Sequence, residues 1–467
     1  MNILRKLKKK NITKISSFYF SLLLIKIGIL LKFPHLSLLG YLLYLISNSN
    51  SNPLKYLLEI LSNKNKPYLI LLQKKGFNED SFIIKKTFTN INCIGFSRKF
   101  VKGIAGSFLS KDICDNNYLS CSPIHEKSKI KLFNYYNFLF SKLPKRLKPI
   151  AILTGNFGYA PEQELFRAAR KNNIKGIAIH KECLKTQGLC DYWKYIYSVR
   201  RDVFAGNMIL VYNKIEAELQ LKSKVVNTKN TKLKIIGCPR LDEAHKLRKE
   251  SIKKHQILMF GFGLKTSLPS ILRKNYSRSE PHYEYLNRQD KYLKWEKLLY
   301  DLCDSFYNTA LNNSKINFKI KLKEAFVDSQ EIINYFNSRN KLKNIEIITK
   351  GDSIEILKET SICICFRSTA IFEAIAGGIP VIIPNFGECQ KEIYKKYLFN
   401  FLNKDQDIIT VNSKKDFEKK INFLLKKSPI HKSKLSKYKK ELLKEWVGNA
   451  DGKSGQRLIN ELSKELF

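Results

Sequence analysis

The stretch "ICICFRSTAIFEAIAGGIPVIIPNFGE", residues 362–388, decides the fold of this chain. It begins with an alternating apolar run, passes through Arg367-Ser368-Thr369 into a mostly apolar helix-forming segment, and ends in Gly-Gly before a second apolar run. A strand, a helix and a strand in this order build a parallel sheet through a right-handed crossover. A core alone does not need three polar residues at the first junction. We therefore interpret this junction as a ligand site at the carboxyl end of a strand.

Strand-like and helix-like segments alternate on both sides of this stretch. Short apolar runs separated by helical segments occur between residues 67 and 239, and the alternation resumes at residue 257 after a charged segment. At 467 residues the chain exceeds the size at which one core usually stops growing. We predict an α/β protein whose two Rossmann-like domains face each other across a cleft and meet near residues 243–256. The predicted limits are 1–60 for N-terminal helices, 61–250 and 255–430 for the two domains, and 431–467 for C-terminal helices.

The net charge of +43 is the outlying feature of the composition. One interpretation is an electrostatic footprint for nucleic acid or for an anionic membrane surface. The other is a general bias of amino-acid composition, because lysine far outnumbers arginine and the lysines are scattered along the chain. A nucleic-acid-binding protein would interleave arginine and aromatic residues on one basic face, and no stretch shows this clearly. We keep that class as a competing hypothesis and predict no nucleic-acid partner.

The ten cysteines contain no C-x-x-C pair. Cys363 and Cys365 alternate with isoleucines along the predicted strand, where a thiol acts as a small apolar side chain. Scattered thiols without ligand spacing are typical of a reducing compartment. We therefore predict a cytoplasmic protein without a cysteine metal site; no cofactor is predicted.

The N-terminus is basic and then apolar. "MNILRKLKKK" precedes a long apolar segment, residues 18–46, which Lys26, Lys32 and Pro34 interrupt. Neither apolar half reaches the ~20 residues that span a bilayer. We predict two short helices broken at Phe33-Pro34. They either lie peripherally in an anionic membrane interface, with lysines on the headgroups, or pack on the first domain.

The Arg367–Thr369 junction has the chemistry of a nucleotide pocket. Free N–H groups and the positive dipole end at a helix N-terminus attract an anion, and Arg367 adds a charge. Glu373 falls one turn into the helix, on the same exposed end, and could accept the hydroxyls of a ribose. The alternative is that Ser368 or Thr369 only caps the helix.

Two further second-domain segments are candidates for phosphate contact. "MFGFGLKTS" (259–267) ends a predicted strand in Gly261-Phe262-Gly263, where the backbone could approach a phosphate. One lysine near the end of another predicted strand, Lys321 or Lys323, could add a positive charge. The alternatives are an ordinary tight turn for the glycines and a solvated strand-edge position for the lysine.

Polar residues also follow strands of the first domain. Asn156 follows one strand, Glu162 opens the next helix, and His180, Lys181 and Glu182 end the following strand. A carboxylate or imidazole in such a place could take the proton of an acceptor hydroxyl. The alternatives are that Glu162 complements a helix dipole and that His180 is a hydrogen-bonded core residue.

Several of these segments resemble one superfamily. "RSTAIFEAIAGGIPVIIP" resembles the donor-site segment of glycosyltransferases with the two-domain GT-B fold. "AIHKE" (178–182), "MILVYNKIEAELQ" (208–220), "GCPRLD" (237–242) and "DGKSGQRLINEL" (451–462) resemble, in order, segments of surface-carbohydrate or capsule polysaccharide biosynthesis proteins and of CDP-glycerol glycerophosphotransferase-like proteins. The last of these implies a helix that crosses back onto the first domain.

The resemblance implies a metal-independent glycosyltransferase that uses a nucleotide-sugar donor and a polysaccharide or lipid-linked acceptor. A glycerophosphotransferase and a nucleotide-sugar epimerase remain alternatives. A non-catalytic member is a further alternative, because Lys181 stands where the relatives have glycine. The first domain would hold the acceptor and the second the donor. The implied roles are catalysis by His180, Glu182 and Glu162; donor binding by Gly261, Gly263, Lys323, Arg367, Ser368, Thr369 and Glu373; and an acceptor side with Asn156 and Lys181.

Overall fold

The computed structural model of the chain contains two separate six-stranded parallel sheets. It describes residues 19–31, 34–47, 66–73, 77–111, 113, 115, 118, 123–200, 204–249, 256–269, 292–323, 330–401, 404–426 and 434–467.

The first sheet has the strand order β2-β1-β3-β4-β5-β6. Its strands are continuous apolar runs, which is typical of parallel strands covered on both faces. The strand order reverses between the neighbouring parallel strands β1 and β3: β2 is added on one side of β1 and the later strands on the other. The strands are β1 (Tyr68–Gln73), β2 (Asn92–Ser97), β3 (Ala151–Thr154), β4 (Lys175–His180), β5 (Met208–Val211) and β6 (Lys232–Ile235).

The second sheet has the order β12-β11-β10-β7-β8-β9, so its first strand lies beside its fourth. This is the order of a dinucleotide-binding Rossmann sheet, in which ligands bind beyond the carboxyl ends of the two central strands. The predicted class of two Rossmann-like domains in a GT-B-like fold is confirmed. The strands are β7 (Gln256–Phe260), β8 (Asn317–Lys321), β9 (Ile345–Ile348), β10 (Ile362–Ile364), β11 (Val381–Pro384) and β12 (Ile408–Val411).

The helices flank the two sheets. They are α1 (19–30), α2 (Pro34–Ser47), α3 (Asn78–Thr87), α4 (Arg98–Ala105), α5 (Pro123–Lys142), α6 (Ala160–Lys171), α7 (Gln187–Arg200), α8 (Lys214–Lys222), α9 (Leu241–Lys246), α10 (Glu296–Leu311), α11 (Gln330–Asn337), α12 (Ser353–Lys358), α13 (Thr369–Gly377), α14 (Glu392–Lys395), α15 (Lys414–Lys426), α16 (Lys437–Val447) and α17 (Ser454–Leu466). Short 3₁₀ helices occupy Lys145–Leu147, Leu247–Lys249 and Gly387–Gln390.

The "GCPRLD" segment ties the last helix to the first domain. Asp242 accepts hydrogen bonds from the backbone N–H groups of Ser454 (3.0 Å) and Gly455 (2.7 Å), so its carboxylate stabilises the N-terminus of α17. Gly237 has φ 78°, and a Cβ there would lie 2.1 Å from the Ser454 hydroxyl, so only glycine fits. Arg457 of α17 donates to the carbonyl of Ile236 at 2.9 Å. The final helix therefore packs back on the first domain.

The first sheet ends at Ile235 and the second begins at Gln256, so the predicted junction at 243–256 lies between them. The exact domain limits stay a prediction. Helix α9 of the first half packs against α13 of the second, where Arg248 donates to the carbonyl of Ala376 at 2.5 Å. The two halves thus meet through helices that flank the candidate donor segment.

The N-terminal apolar segment forms two helices, α1 and α2. Helix α2 packs on the first domain, where the Tyr44 ring stacks on Phe100 at 3.8 Å and the Tyr44 hydroxyl accepts from the Ser97 N–H at 3.0 Å. Helix α1 buries Ser21 and Ile25. Its outer face exposes the side chains of Tyr19, Phe20, Leu23, Leu30 and Leu31. Among the helices of the described residues, none has the length and apolar character needed to cross a bilayer.

Candidate functional site

The Arg367–Thr369 turn sits at the switch point of the second sheet. Strand β10 ends at Ile364, and Ser368 caps α13 by accepting from the N–H of Ala370 at 3.3 Å. The predicted capping role therefore applies to Ser368, while Thr369 is the first residue of the helix. Arg367 lies between strand and cap with φ 47°, a strained conformation for a residue other than glycine. Backbone strain of this kind concentrates at functional sites.

Arg367 is a buried cation, and no carboxylate of the described residues pairs with it. Its side chain is 5% exposed, and burial lowers the pKa of the guanidinium to about 9. Nη2 donates to the hydroxyl of Thr186, in the first domain, at 3.2 Å. Within the described part of the chain, Nε and Nη1 have no hydrogen-bond partner. A buried charge normally has its hydrogen bonds satisfied, so these two nitrogens indicate a site for an oxyanion.

The glycine-rich loop after β7 lies beside this turn. Strands β7 and β10 are neighbours, and the Ser267 hydroxyl donates to the carbonyl of Arg367 at 3.3 Å. The N–H of Gly263 is already bonded to the Thr266 hydroxyl at 2.9 Å. A Cβ on Gly261 would lie 2.5 Å from Leu322, so packing suffices to explain this glycine. Lys323 is exposed after β8, at the same edge of the sheet.

Glu373 is buried, so the prediction that it lies on an exposed end is wrong. One carboxylate oxygen accepts from the Ser353 hydroxyl at 3.0 Å, and the other lies 3.7 Å from Nε of Arg240 in the first domain. Arg240 immediately precedes helix α9 and Ser353 begins α12, and both helices pack on α13. A ribose would have to share the carboxylate with these partners.

His180 ends β4, as predicted, and belongs to a buried polar cluster. Its side chain is about 3% exposed, and Nε2 lies 3.1 Å from Oε1 of Glu216. The contact between Nε2 and Oε1 does not have the geometry of a hydrogen bond, and Nδ1 has no partner among the described residues. The ring of Phe157 meets the imidazole edge-on with centroids 5.1 Å apart.

Glu216 is a residue of this cluster that sequence reasoning missed. Its carboxylate pairs with the Lys185 ammonium and accepts from the hydroxyl of Tyr197 (3.0 Å) and the amide of Gln220 (2.8 Å). Burial would raise the pKa of Glu216, but Lys185 and His180 outweigh burial and lower it to about 2. Glu216 is therefore a fully buried carboxylate that stays ionised.

The sequence pattern around Glu216 has an ordinary explanation, which is helix capping. Asn213 caps α8 and accepts from the N–H of Glu216 at 2.9 Å. An Asn followed three residues later by Glu is the pattern of an ordinary capping box. Lys185, five residues after His180, carries no local pattern at all.

Glu162 and Lys181 are held by other partners. Glu162 pairs with Arg98 at 2.5 Å and accepts from the Thr154 hydroxyl at 2.7 Å. Burial raises the pKa of Glu162 despite that arginine. Lys181 lies 3.0 Å from Asp80. Both side chains are thus fixed by partners of the first domain.

Asn156 and Glu182 lie nearer to solvent. The Asn156 side chain accepts from the N–H of Gly158 at 3.0 Å in a turn after β3, next to the switch point of the first sheet. Glu182 is exposed. Their proposed roles on the acceptor side stay predictions.

A continuous polar path connects the two candidate centres. It runs from His180 to Glu216, from Glu216 to Lys185, through the peptide chain to Thr186, and from Thr186 to Arg367. The structure therefore places the imidazole of the first domain and the guanidinium of the second at opposite ends of one buried network.

The chain contains one D-x-D sequence, Asp405-Gln406-Asp407, a pattern that could hold a metal ion. Lys439 lies 3.4 Å from Asp405 and 2.5 Å from Asp407, so one ammonium pairs with both carboxylates. In the residues that the structure describes, no group of three or more His, Cys, Asp or Glu side chains is arranged to hold a metal. The predicted absence of a metal site stays a prediction.

The first domain also has a pocket of about 370 Å³, lined by Arg167, Arg170, Lys171, Phe133, Phe204, Ala205, Asn227 and Asn230. These residues precede β4, β5 and β6 or pack beside them, so the pocket lies at the amino edge of the sheet. Ligands of open α/β sheets bind at the carboxyl edge. The pocket is therefore separate from the candidate site.

No protein-family model matches the chain, and no curated protein matches it. Several solved structures are similar in fold. UDP-GlcNAc 2-epimerase from Neisseria meningitidis, bound to UDP-GlcNAc, is 12% identical over 86% of this chain and 100% of its own, with a TM-score of 0.44. The UDP-forming α,α-trehalose-phosphate synthase from Burkholderia vietnamiensis is 9% identical over 86% and 100%, with a TM-score of 0.42. UDP-GlcNAc 2-epimerase from Methanocaldococcus jannaschii, in complex with UDP-GlcNAc and UDP, is 12% identical over the same shares, with a TM-score of 0.41.

Proposed function

We propose that this protein is a glycosyltransferase that moves a sugar from a nucleotide-sugar donor to a surface-polysaccharide or lipid-linked acceptor. One observation carries the proposal: Arg367 is a buried guanidinium, and two of its nitrogens have no hydrogen-bond partner among the described residues. It lies at the switch point of a Rossmann-like sheet and beside a helix N-terminus. A diphosphate would satisfy both nitrogens and the free N–H groups of α13 together. The resemblance of residues 367–384 to a donor-site segment supports the same ligand.

The same groups would stabilise the leaving diphosphate. As the bond between the sugar and the phosphate oxygen breaks, negative charge develops on that oxygen. A fixed cation and a helix dipole in a site with little water stabilise such charge strongly. Arg367, Ser368 and Thr369 would supply this stabilisation without a metal, with Gly261, Gly263 and Lys323 on the phosphate side. The nucleotide sugar is then a substrate, and no separate cofactor is proposed.

The first domain would supply the base and the acceptor contacts. We assign proton removal from the acceptor hydroxyl to His180 and the acceptor side to Asn156 and Lys181. Glu182 and Glu162 are the rival bases, although Glu162 is already paired with Arg98. Because both ring nitrogens of His180 are enclosed in this state, the acceptor must displace neighbouring groups to reach the imidazole.

A binding screen tests the donor class. Saturation-transfer NMR with UDP-, GDP-, CMP- and CDP-linked donors should show contact with one nucleotide diphosphate, and Arg367→Met should abolish it. Absence of binding by every donor would contradict the proposal. Conversion of the donor to its epimer without an acceptor would indicate an epimerase on the same fold, and preference for CDP-glycerol would indicate a glycerophosphotransferase.

Glu373 is proposed to bind the ribose. Glu373→Gln keeps the volume but removes the charge, and should weaken nucleotide binding by roughly 1.5–3 kcal/mol, the range for hydrogen bonds to charged groups. Isothermal titration calorimetry measures this. Glu355→Gln on the neighbouring helix α12 is the control, because Glu355 is exposed and pairs with the exposed Lys358. If Glu373→Gln and Glu355→Gln both bind the nucleotide as tightly as the wild type, the ribose lies elsewhere.

His180→Ala should still bind the donor but lose ~10²-fold or more in turnover, the low end for a lost general base. Single-turnover transfer measures the rate once donor and acceptor are known. His125→Ala, on α5, is the matched control. An unchanged rate would transfer the role to Glu182 or Glu162.

Peripheral contact with an anionic membrane is proposed for the outer face of α1. Its Leu23 and Leu30 are 53% and 80% exposed, and the basic run 5–10 precedes the helix. A basic flank beside an apolar helix face suits anionic headgroups, at the cytoplasmic side of the membrane in this proposal.

Leu23→Ser combined with Leu30→Ser should reduce flotation with phosphatidylglycerol vesicles by about tenfold. The variant loses two leucine side chains that would be partly buried in the membrane interface. Deletion of residues 1–46 would be a poor test because it removes the buried Tyr44. Leu311→Ser with Phe423→Ser is the control pair, because these side chains are 54% and 53% exposed in the second domain. If both pairs float like the wild type, α1 does not anchor the protein.

A further inference from the structure

We infer that Glu216 is the positioning residue of His180: it fixes the imidazole with Nε2–H toward the carboxylate, so that Nδ1 is the atom that takes the acceptor proton. The inference rests on the proposed transfer reaction but deepens it, since it names the atom that accepts the proton and the residue that orients it.

The contact geometry supports this orientation. Oε1 of Glu216 lies 3.1 Å from Nε2 of His180, while Nδ1 has no partner in the described part of the chain. A carboxylate cannot donate a proton, so a neutral imidazole beside it is most stable with the proton on Nε2. Nδ1 is then a bare base.

The carboxylate is itself immobilised. Glu216 lies in the first turn of α8, which Asn213 caps. Its Oε2 accepts from Lys185, and its Oε1 accepts from Tyr197 and Gln220. A carboxylate with this many partners cannot swing away from the imidazole. Its orientation is decided before any substrate binds, which is what a positioning group requires.

The titratable groups around the His180–Glu216 pair come from three elements. The loop after β4 contributes Lys185 and the thiol of Cys183, helix α7 contributes the Tyr197 hydroxyl and the thiol of Cys190, and helix α8 contributes Glu216 itself. Burial raises the pKa of both thiols, and they stay neutral at working pH. Among the described residues, the carboxylate thus contacts one ammonium, that of Lys185, and the ring of His180.

The chemical step balances with these groups. The acceptor oxygen forms a bond to the anomeric carbon while the bond from that carbon to the diphosphate oxygen breaks, and the diphosphate leaves with the electron pair toward Arg367. The acceptor proton passes to Nδ1. The resulting imidazolium carries its second N–H toward ionised Glu216, which stabilises the charge until the proton is lost to water.

A purely structural pairing predicts different results. If His180 only fills the core, the tautomer of the ring has no bearing on the rate, and Glu216 acts on stability alone. Two readouts separate these cases. One needs no substrate, so its outcome does not depend on whether the protein is a transferase.

The first readout is the tautomer of His180 in the unmodified protein. Two-bond ¹H–¹⁵N spectra of protein labelled on histidine, assigned by comparison with His180→Gln, should show a neutral ring protonated on Nε2 and bare on Nδ1 at pH 7. A ring protonated on Nδ1 would overturn the inference. Loss of donor binding with the expected tautomer would instead overturn the proposed function and leave the geometry intact.

The second readout is the rate of transfer at saturating donor and acceptor. Without the Glu216 carboxylate the imidazolium formed in the step loses its counter-charge, so Glu216→Gln should reduce turnover ~10²-fold while the KM for the donor stays unchanged. If this variant does not fold, Glu216→Gln with Lys185→Met removes both charges of the pair and is used instead. Glu216→Asp keeps a carboxylate and should restore most of the turnover. Unchanged turnover in every charge-removing variant would overturn the inference.

Discussion

Arg367→Met should weaken binding of the donor diphosphate by about 10²- to 10³-fold while leaving the protein as stable as the wild type or more stable. Among the described residues, the buried guanidinium donates one hydrogen bond, to Thr186, lies 5.4 Å from the Phe399 ring and has two nitrogens without a hydrogen-bond partner. Such a charge destabilises the folded state, so an apolar side chain of similar volume should relieve it. Bound diphosphate would pair the charge, and loss of one partner of a buried charge pair costs about 2–5 kcal/mol of binding free energy.

The opposite signs of the two effects make the result diagnostic. Urea unfolding reports the stability and calorimetry the affinity. Arg339→Met is the matched control, because Arg339 is half-exposed and already pairs with Asp304. It should change neither quantity by more than about 1 kcal/mol. If Arg367→Met lowers stability and leaves affinity unchanged, the guanidinium has a structural role and the donor site must lie elsewhere.

Glu216→Gln should lower the free energy of unfolding by about 3–5 kcal/mol, because it leaves the Lys185 ammonium buried without its counter-charge. Adding Lys185→Met should recover most of this loss, since both charges of the pair are then gone. Urea unfolding of the two single variants and the double variant measures the coupling between the residues. Additive losses in the double variant would show that the two side chains do not act as a pair.

The same carboxylate predicts how stability depends on pH. The folded-state pKa of Glu216 is lowered from 4.5 to about 2. A depressed carboxyl pKa stabilises the folded state above pH 4.5, and this contribution is lost as the pH falls from 4.5 through 2. The shift corresponds to about 3 kcal/mol. The wild type should therefore lose more stability than Glu216→Gln between pH 5 and pH 2, and parallel curves for the two proteins would contradict this.

The sequence alone determined the class of fold. Residues 362–384 predicted a strand, a polar turn, a helix and a strand, and β10, the Arg367 turn, α13 and β11 follow that order. Patterns of this kind are local: apolar periodicity, a capping serine and a helix-ending glycine pair act within a few residues of one another. The position of His180 at the end of β4 was predictable for the same reason.

Only the tertiary structure decided what those polar residues touch. Arg367 lacks a carboxylate partner because the first-domain loop that packs on it brings the Thr186 hydroxyl rather than an acidic side chain. Glu373 is buried because α12 and α9, which are remote in sequence, close over it with Ser353 and Arg240. Glu216 meets His180 because the parallel pairing of β4 with β5 sets α8 beside the strand end. Each of these contacts joins residues separated by tens to hundreds of positions, and local propensity carries no information about which distant side chains a sheet register brings together.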